Sequence, residues 1–177
     1  MLRLLSAANT NTPALSQSFA YDAGGNILTN SAIGSYGYPA QGAGTVRPHA
    51  VLSAGTSSFN YDANGNQLVK SDGGAATRTI AHDAENRPVS VTSGGGAVTY
   101  LYGPDGERLK KVAGSSTTLY LGSDIERDPS GAWNTYLTPD VKRSGSTRTW
   151  LHRDNLASVR AVTSSAGAAN RVIAIRA

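Results

Sequence analysis

The residue pattern of positions 58–73, Ser-Phe-Asn-Tyr-Asp-Ala-Asn-Gly-Asn-Gln-Leu-Val-Lys-Ser-Asp-Gly, predicts one complete β-hairpin. Phe59 and Tyr61 are two residues apart, so on an extended strand both rings point to the same face. Asp62, followed by two residues and then Gly65, is the pattern of a type I turn that ends in a left-handed glycine. The Asp62 carboxylate can accept backbone N–H groups two or three residues later, which predicts a turn stiffened by its own side chain.

The hairpin pattern recurs along the chain. Residues 19–28 match it almost position for position, residues 80–89 repeat it with His for Tyr and Asn for Gly, and residues 101–109 form a fourth copy. The repeated positions are Tyr21, Asp22, Gly25, Tyr61, Asp62, Gly65, His82, Asp83, Tyr102, Asp105 and Gly106. The Tyr or His positions are 40, 21 and 20 residues apart, which indicates a period near twenty with one degenerate unit at 35–39. Such a repeat implies supersecondary units that need their neighbours to bury an apolar face.

The Tyr-Asp-x-x-Gly unit at this spacing resembles the YD repeat of the rearrangement-hotspot (Rhs) family, which the shell subunits of insecticidal Tc toxins and the teneurins share. Further segments resemble, in their order, the Rhs repeat-associated core that precedes a toxin domain. They are 47–51 with Arg47, Pro48 and His49, then 62–66, 102–111, 120–126, and 151–160 with Asp154, Leu156 and Ser158. The resemblance covers nearly the whole chain. It implies a shell of many repeats that encloses a C-terminal toxin until delivery by a type VI or related secretion route.

The resemblance also implies a bacterial protein that is cytoplasmic before export and secreted or at the cell surface afterwards. The family's autoprotease motif and toxin would lie beyond the 151–160 segment, so the likeness is to a core truncated before both. We expect residues 170–177 to form the strand that follows this segment. The segment departs from the family's usual Asp-His-Leu-Gly-Ser, because Asn155 stands for His and Ala157 for Gly. If that position takes a positive φ, Ala157 strains the turn by roughly 1 kcal/mol, as in a decayed or orphan copy.

The whole chain predicts an all-β fold. Between residues 19 and 163 short strands alternate with turns, and no ten-residue window combines helical periodicity with freedom from Gly, Pro and β-branched clusters. Further hairpin turns are expected at 71–74, 93–96, 128–131, 144–146 and 164–167. We predict an extended, twisted antiparallel meander of YD-repeat hairpins that forms part of a curved, shell-like sheet. The expected organisation is a loose N-terminal arm or the end of a preceding repeat at 1–18, the repeat sheet at 19–163, and a truncated terminal strand at 164–177.

Composition limits the possible partners. The 177 residues include no cysteine, which excludes a disulfide framework and a thiolate metal site. The net charge is +4, and basic and acidic residues alternate between positions 78 and 160, which is typical of a solvated sheet face rather than a nucleic-acid track. No apolar run could span a membrane, and residues 1–5, interrupted by Arg3, are too short for a signal-peptide core. We expect a thin, broad sheet with no cofactor, no metal and no nucleic-acid partner.

Several residue types could carry chemistry. The repeat aspartates could form a row of carboxylates for acid–base or metal work, but their first or inner places in glycine turns favour backbone capping. The tyrosines could bind sugars, although packing against cross-strand neighbours is favoured. The histidines at 49, 82 and 152 lack ligand spacing, which favours structural roles. Residues 128–131, Asp-Pro-Ser-Gly, resemble half of the paired motif with which the Rhs core cleaves itself; the other half is missing, which favours an ordinary turn.

The predicted function is structural rather than enzymatic: a fragment of an Rhs/YD-repeat shell whose partners are the remainder of the shell or its toxin domain. Two other classes of function remain possible from the sequence. One is a surface module that recognises cell-surface carbohydrate through exposed repeat tyrosines. The other is a self-cleaving aspartyl protease, which would need two aspartates within hydrogen-bonding distance.

Overall fold

A computed structural model describes residues 3–172 of the chain as an all-β protein. The chain divides into two compact units, residues 1–95 and 96–177. In each unit every strand pairs antiparallel with the next one in sequence, which confirms the predicted meander. Within the described range the only helical element is a short 3₁₀ turn, Pro13–Leu15.

Nine strands make up the first unit. They are β1 (Ser6–Ala7), β2 (Gln17–Tyr21), β3 (Ile27–Asn30), β4 (Gly34–Gly37), β5 (Ser53–Ala54), β6 (Ser57–Tyr61), β7 (Gln67–Asp72), β8 (Ala75–His82) and β9 (Pro88–Ser93). The degenerate repeat predicted at 35–39 supplies β4, which lies between β3 and β5. The long connection after β4, residues 38–52, contains the Arg-Pro-His segment.

Nine further strands make up the second unit. They are β10 (Gly96–Tyr102), β11 (Arg108–Ala113), β12 (Ser116–Leu121), β13 (Ile125–Arg127), β14 (Trp133–Thr138), β15 (Val141–Ser144), β16 (Thr147–Arg153), β17 (Val159–Ser164) and β18 (Ala169–Val172). The strand predicted at 170–177 overlaps β18, and residues 173–177 lie outside the described part of the chain.

The start of the described chain repeats a later segment. Residues 4–7, Leu-Leu-Ser-Ala, and residues 51–54, Val-Leu-Ser-Ala, precede equivalent strands. The backbone N–H of Phe19 donates to the Leu5 carbonyl, and the equivalent Phe59 N–H donates to the Leu52 carbonyl, both at 2.9 Å. The Tyr21 hydroxyl donates to the Leu4 carbonyl at 2.9 Å, and the equivalent Tyr61 hydroxyl donates to the Val51 carbonyl at 2.8 Å. Residues 3–7 therefore contact the first hairpin as residues 51–54 contact the second.

Half-buried and exposed side chains alternate along the first strand of each repeat hairpin, as the hairpin pattern predicts. In β6, Phe59 and Tyr61 are half-buried while Ser58 and Asn60 are exposed. No apolar side chain in the described part of the chain is buried; the buried side chains are those of Asn26, Asn30 and Asn134. Because burial of apolar surface supplies roughly 25 cal/mol per Å², the units depend heavily on backbone hydrogen bonds and turn contacts.

The fourth residue of the five-residue repeat turns, two positions before the return strand, has a left-handed backbone. Glycine supplies this conformation without steric cost in most turns, but Ala157 adopts it with φ 62°, so the positive φ on which the expected strain depends is present. Asn86, with φ 63°, is the repeat residue that replaces glycine, and asparagine tolerates this region better than alanine.

Replacing Ala157 with Gly should stabilise the protein by about 1 kcal/mol, because glycine carries no Cβ penalty at positive φ. The matched control is Ala63→Gly, at a turn residue without positive φ, which should lower stability by about 0.5 kcal/mol through unfolded-state entropy. Chemical denaturation of both variants measures the difference. Equal effects of the two substitutions would contradict the assigned strain.

Candidate functional site: the aspartate turns and the segments that join them

The Asp62 turn sets the pattern for the others. Asp62 N–H donates to the Asn66 carbonyl at 3.0 Å, and Gly65 N–H donates to the Asp62 carbonyl at 3.2 Å. The Asp62 carboxylate accepts the Asn66 backbone N–H at 2.8 Å through Oδ1 and the Asn66 side-chain amide at 2.9 Å through Oδ2. The predicted capping role of Asp62 is therefore present. Its shortest hydrogen bond to a backbone N–H comes from the residue four positions later, rather than from the residue two or three positions later.

Four other turns have the same construction. The carboxylate accepts the backbone N–H four positions later in the turns of Asp22 (Asn26, 2.8 Å), Asp83 (Arg87, 2.9 Å), Asp128 (Ala132, 3.1 Å) and Asp154 (Ser158, 3.0 Å). In the first two of these the residue at that fifth position also donates a side-chain hydrogen bond to the second carboxylate oxygen. The segment resembling a self-cleavage motif thus supplies the Asp128 carboxylate as a turn cap.

The fourth repeat copy has a glycine, rather than an aspartate, at the first position of its turn. Its turn is closed by Gly103 N–H donating to the Glu107 carbonyl at 2.8 Å and by Gly106 N–H donating to the Gly103 carbonyl at 3.0 Å. Gly103 therefore occupies the capping position, while Asp105 is exposed at the third position. The Glu107 carboxylate lies where a side chain at Gly103 would begin. Asp105 is not equivalent to Asp22, because an inner turn position places its carboxyl past the N–H groups to be capped.

Capping lowers the pKa of the carboxyl groups of Asp22, Asp62, Asp83 and Asp128. The Asn66 amide is the main cause for Asp62, the Asn26 amide for Asp22, and the Arg87 backbone N–H for Asp83. For Asp128 the main cause is the hydroxyl of Ser130. A carboxylate held ionised by its own turn is suited to structural bonding rather than to donating a proton near neutral pH.

The Asp22, Asp62 and Asp83 turns lie at one end of the strands, because they are alternate connections of an antiparallel meander. The segment 47–49 joins the first two. His49 Nδ1 donates to Asn26 Oδ1 at 2.7 Å, a direction fixed because the Asn26 amide nitrogen donates to Asp22.

The remainder of this segment completes the link. The same Asn26 nitrogen lies 3.4 Å from the Pro48 carbonyl, while the Arg47 guanidinium donates to the Asp62 carbonyl. Arg47 itself has a left-handed backbone, φ 59°. The three residues therefore tie together two turns that are 40 positions apart.

Asparagines join the next pair of turns. The side-chain amides of Asn64 and Asn66 donate to Asn86 Oδ1 at 2.9 and 2.7 Å.

In the second unit the side chain of Arg153 connects two turns in a similar way. Arg153 donates to Asp140 Oδ1 and the Pro139 carbonyl, both at 2.8 Å, and to the Ala157 carbonyl at 2.7 Å.

The other residues singled out from the sequence take no part in the hydrogen bonds that connect these turns. His82 is half-buried on β8, and its Nδ1 is buried without a hydrogen-bond partner in the described structure. His152 Nε2 lies 2.9 Å from Thr163 Oγ1. Tyr100 and Tyr102 lie on β10 with ring centroids 6.5 Å apart. Leu156 is 80% exposed, and its backbone N–H donates to Asp154.

Within residues 3–172 no group of three or more His, Asp and Glu side chains is placed to hold a metal ion. No helix in that range is both long and apolar enough to cross a bilayer.

Sequence reasoning missed two sets of functional side chains. Asn26 and Asn66 complete their turns, and the shared asparagine at the fifth position was the available signal. The second set surrounds Glu126, whose Oε1 accepts hydrogen bonds from Asn134 at 3.3 Å, Tyr136 at 3.2 Å and Lys142 at 3.1 Å. No spacing rule predicted this cluster, because it depends on the register of three strands.

One groove of about 320 Å³ lies on the half-buried face of the first unit. Its lining includes the rings of Tyr36, Phe59 and Tyr61 and the side chain of Gln67. Gln67 Oε1 accepts a hydrogen bond from Arg78 at 3.2 Å, which leaves the Gln67 amide nitrogen buried without a partner in the described structure. The groove thus combines aromatic walls with an unused donor.

Acid should weaken the fold through the capped turns. A carboxyl whose folded pKa is lowered contributes its full stabilisation above the unfolded value of 3.8 and loses it as the pH falls through the folded value. Asp62→Asn should therefore reduce Tm at pH 7 and flatten its decline between about pH 4 and pH 2. The control, Asp105→Asn, changes an uncapped turn position and should leave the curve unchanged. Superimposable curves for the two variants would refute the capping assignment.

No protein-family model matches the sequence, and no curated protein matches it. Among solved structures, the chain is similar to the crystal structure of TcdB2-TccC3-TEV, with a TM-score of 0.39 and 12% sequence identity. The match covers 87% of this chain and 13% of that chain. This is a weak structural similarity.

Proposed function

We propose that the chain is a wall segment of an Rhs/YD-repeat shell that encloses a C-terminal toxin. The observation that carries the proposal is a series of hairpins that lack a core of their own. Each hairpin has aromatic or apolar side chains on one face, and none of these side chains is buried in the described range. A repeat unit of this kind needs neighbouring repeats or contents to cover its apolar face.

The turn contacts support the same proposal. The hydrogen bonds of Arg47, His49 and the Asn64–Asn66–Asn86 group connect one turn to the next rather than converging on a cleft. The carboxylates of the same turns, those of Asp22, Asp62 and Asp83, are already used as caps. The connecting hydrogen bonds therefore add rigidity to the end of a sheet. A rigid sheet is what a protein needs to separate its contents from the surroundings.

A chimera tests this function. In an Rhs/YD-repeat shell protein, the repeats that correspond to residues 19–163 are replaced by this chain, and the enclosed toxin is exposed to protease. We expect the toxin in the chimera to be digested much more slowly than the free toxin domain. The control replaces the same repeats with an unrelated β-rich sequence of equal length. If the chimera has the strand-rich far-UV circular dichroism spectrum of the parent shell protein and its toxin is still digested at the rate of the free domain, the result would argue against a wall function.

The groove of the first unit favours one second candidate, a carbohydrate-binding module. Aromatic walls and a single fixed amide donor are the usual elements of a small-ligand site. Tyr61 is less available than the sequence suggested, because its hydroxyl donates to the Val51 carbonyl.

Glycan-array binding tests this candidate. If a saccharide occupies the groove, Tyr36→Ala should remove binding without changing the fold, whereas Tyr120→Ala in the second unit should retain it. Absence of array binding by the unmodified chain, or equal loss in both variants, would exclude the groove as a sugar site.

A further inference from the structure

One face of the second unit collects arginine and tryptophan side chains. Antiparallel partners point to the same side of a sheet, as do residues two apart on one strand. The pairs Arg127 with Trp133, Thr135 with Arg143, and Arg143 with Arg148 therefore share a face. Trp150 belongs to it as well, two residues beyond Arg148. We call Arg127, Trp133, Arg143, Arg148 and Trp150 the Arg–Trp face.

The acidic residues of this unit lie elsewhere. Glu126 is the only acidic residue in its described strands, and it points to the opposite face, where it meets Lys142 at 3.1 Å. The other acidic residues of the unit lie in turns, at Asp105, Glu107, Asp124, Asp128, Asp140 and Asp154. The charges that alternate along the sequence are therefore separated by the fold of this unit.

The arginines of this face lack counter-ions in the described structure. The ion pairs of the second unit involve Lys142, Arg153 and Arg160 instead. Arg143 and Arg148 are exposed and lie directly opposite each other on β15 and β16. Like charges directly opposite each other destabilise a strand pair. Arg127 donates only to its own turn, at Gly131, and lies 5.9 Å from the Trp133 ring.

Apolar side chains continue the same face. Leu121 pairs with Ile125, and Ile125 pairs with Thr135, so both lie beside the arginines. They are 51% and 38% exposed, and Trp133 is 49% exposed. Arginine and tryptophan are enriched at the energetic centres of protein–protein interfaces, whereas lysine is depleted at interfaces.

We propose that the Arg–Trp face binds an acidic polypeptide segment that also carries apolar side chains. Carboxylates from the partner would pair with Arg143 and Arg148 and relieve their mutual repulsion, and bidentate pairing suits the guanidinium group. The partner's apolar side chains would cover Leu121, Ile125 and Trp133. This binding does not depend on the shell proposal, since it rests on the charges of one face of the second unit alone.

Fluorescence anisotropy with the full chain tests the inference, with a labelled peptide of alternating Glu and Leu as the probe. R143Q/R148Q should weaken peptide binding by about tenfold at low salt. The matched control, K111Q/R160Q, removes the same charge from the opposite face and should change affinity by less than about twofold. R143Q/R148Q should also raise Tm, because it removes a like-charge pair. If that variant loses its strand-rich far-UV circular dichroism spectrum, R127Q replaces it and should also weaken peptide binding.

Three outcomes would overturn the inference. The unmodified chain could fail to bind the peptide. Both double variants could weaken binding equally, which would indicate attraction by net charge alone. An oligothymidine or phosphatidylserine-containing vesicles could bind in an Arg143- and Arg148-dependent way while the peptide does not, which would assign the face to nucleic acid or membrane.

Discussion

The hydrogen bond from a backbone N–H to the carboxylate of an aspartate four residues earlier organises this protein. It closes five described turns and, in three of them, it is joined by a side-chain bond from the same later residue. Such a turn fixes the direction of the return strand through local contacts. Strand pairing can then extend from each turn without help from residues distant in sequence.

This dependence on turns follows from the absence of a buried apolar core in the described structure. The most buried side chain is Asn134, at 1% exposure, and it lies in a polar cluster with Glu126. Polar side chains also join adjacent turns: Arg47 and His49 in the first unit, Arg153 in the second. Hydrogen bonds of this kind each add a modest amount of stability, about 1 kcal/mol, so they specify geometry more than they supply energy. The uncovered faces are where we place the protein's interactions, with shell neighbours or contents and with an acidic partner.

The sequence predicted what is local. The Tyr-Asp-x-x-Gly spacing predicts hairpins, their facing residues and the left-handed position at Ala157, because turn chemistry and strand alternation are set within a few residues. It did not predict that Gly103 rather than Asp105 begins the fourth turn, since the residues of this segment are compatible with a turn that begins at either position. It could not predict the Glu126 cluster or the Arg–Trp face, which arise from the register of several strands. The 3–7 segment was detectable, because Leu-Leu-Ser-Ala resembles Val-Leu-Ser-Ala before the second hairpin.

The heat-capacity change of unfolding tests the central claim most directly, because it reports the apolar surface removed from water. Globular domains show about 12–15 cal/mol/K per residue. Calorimetry of the purified chain, at a dilution where it is monomeric, should give a value well below this range together with a strand-rich far-UV spectrum. A full globular value from the monomer would contradict the account, since it would require a buried apolar core.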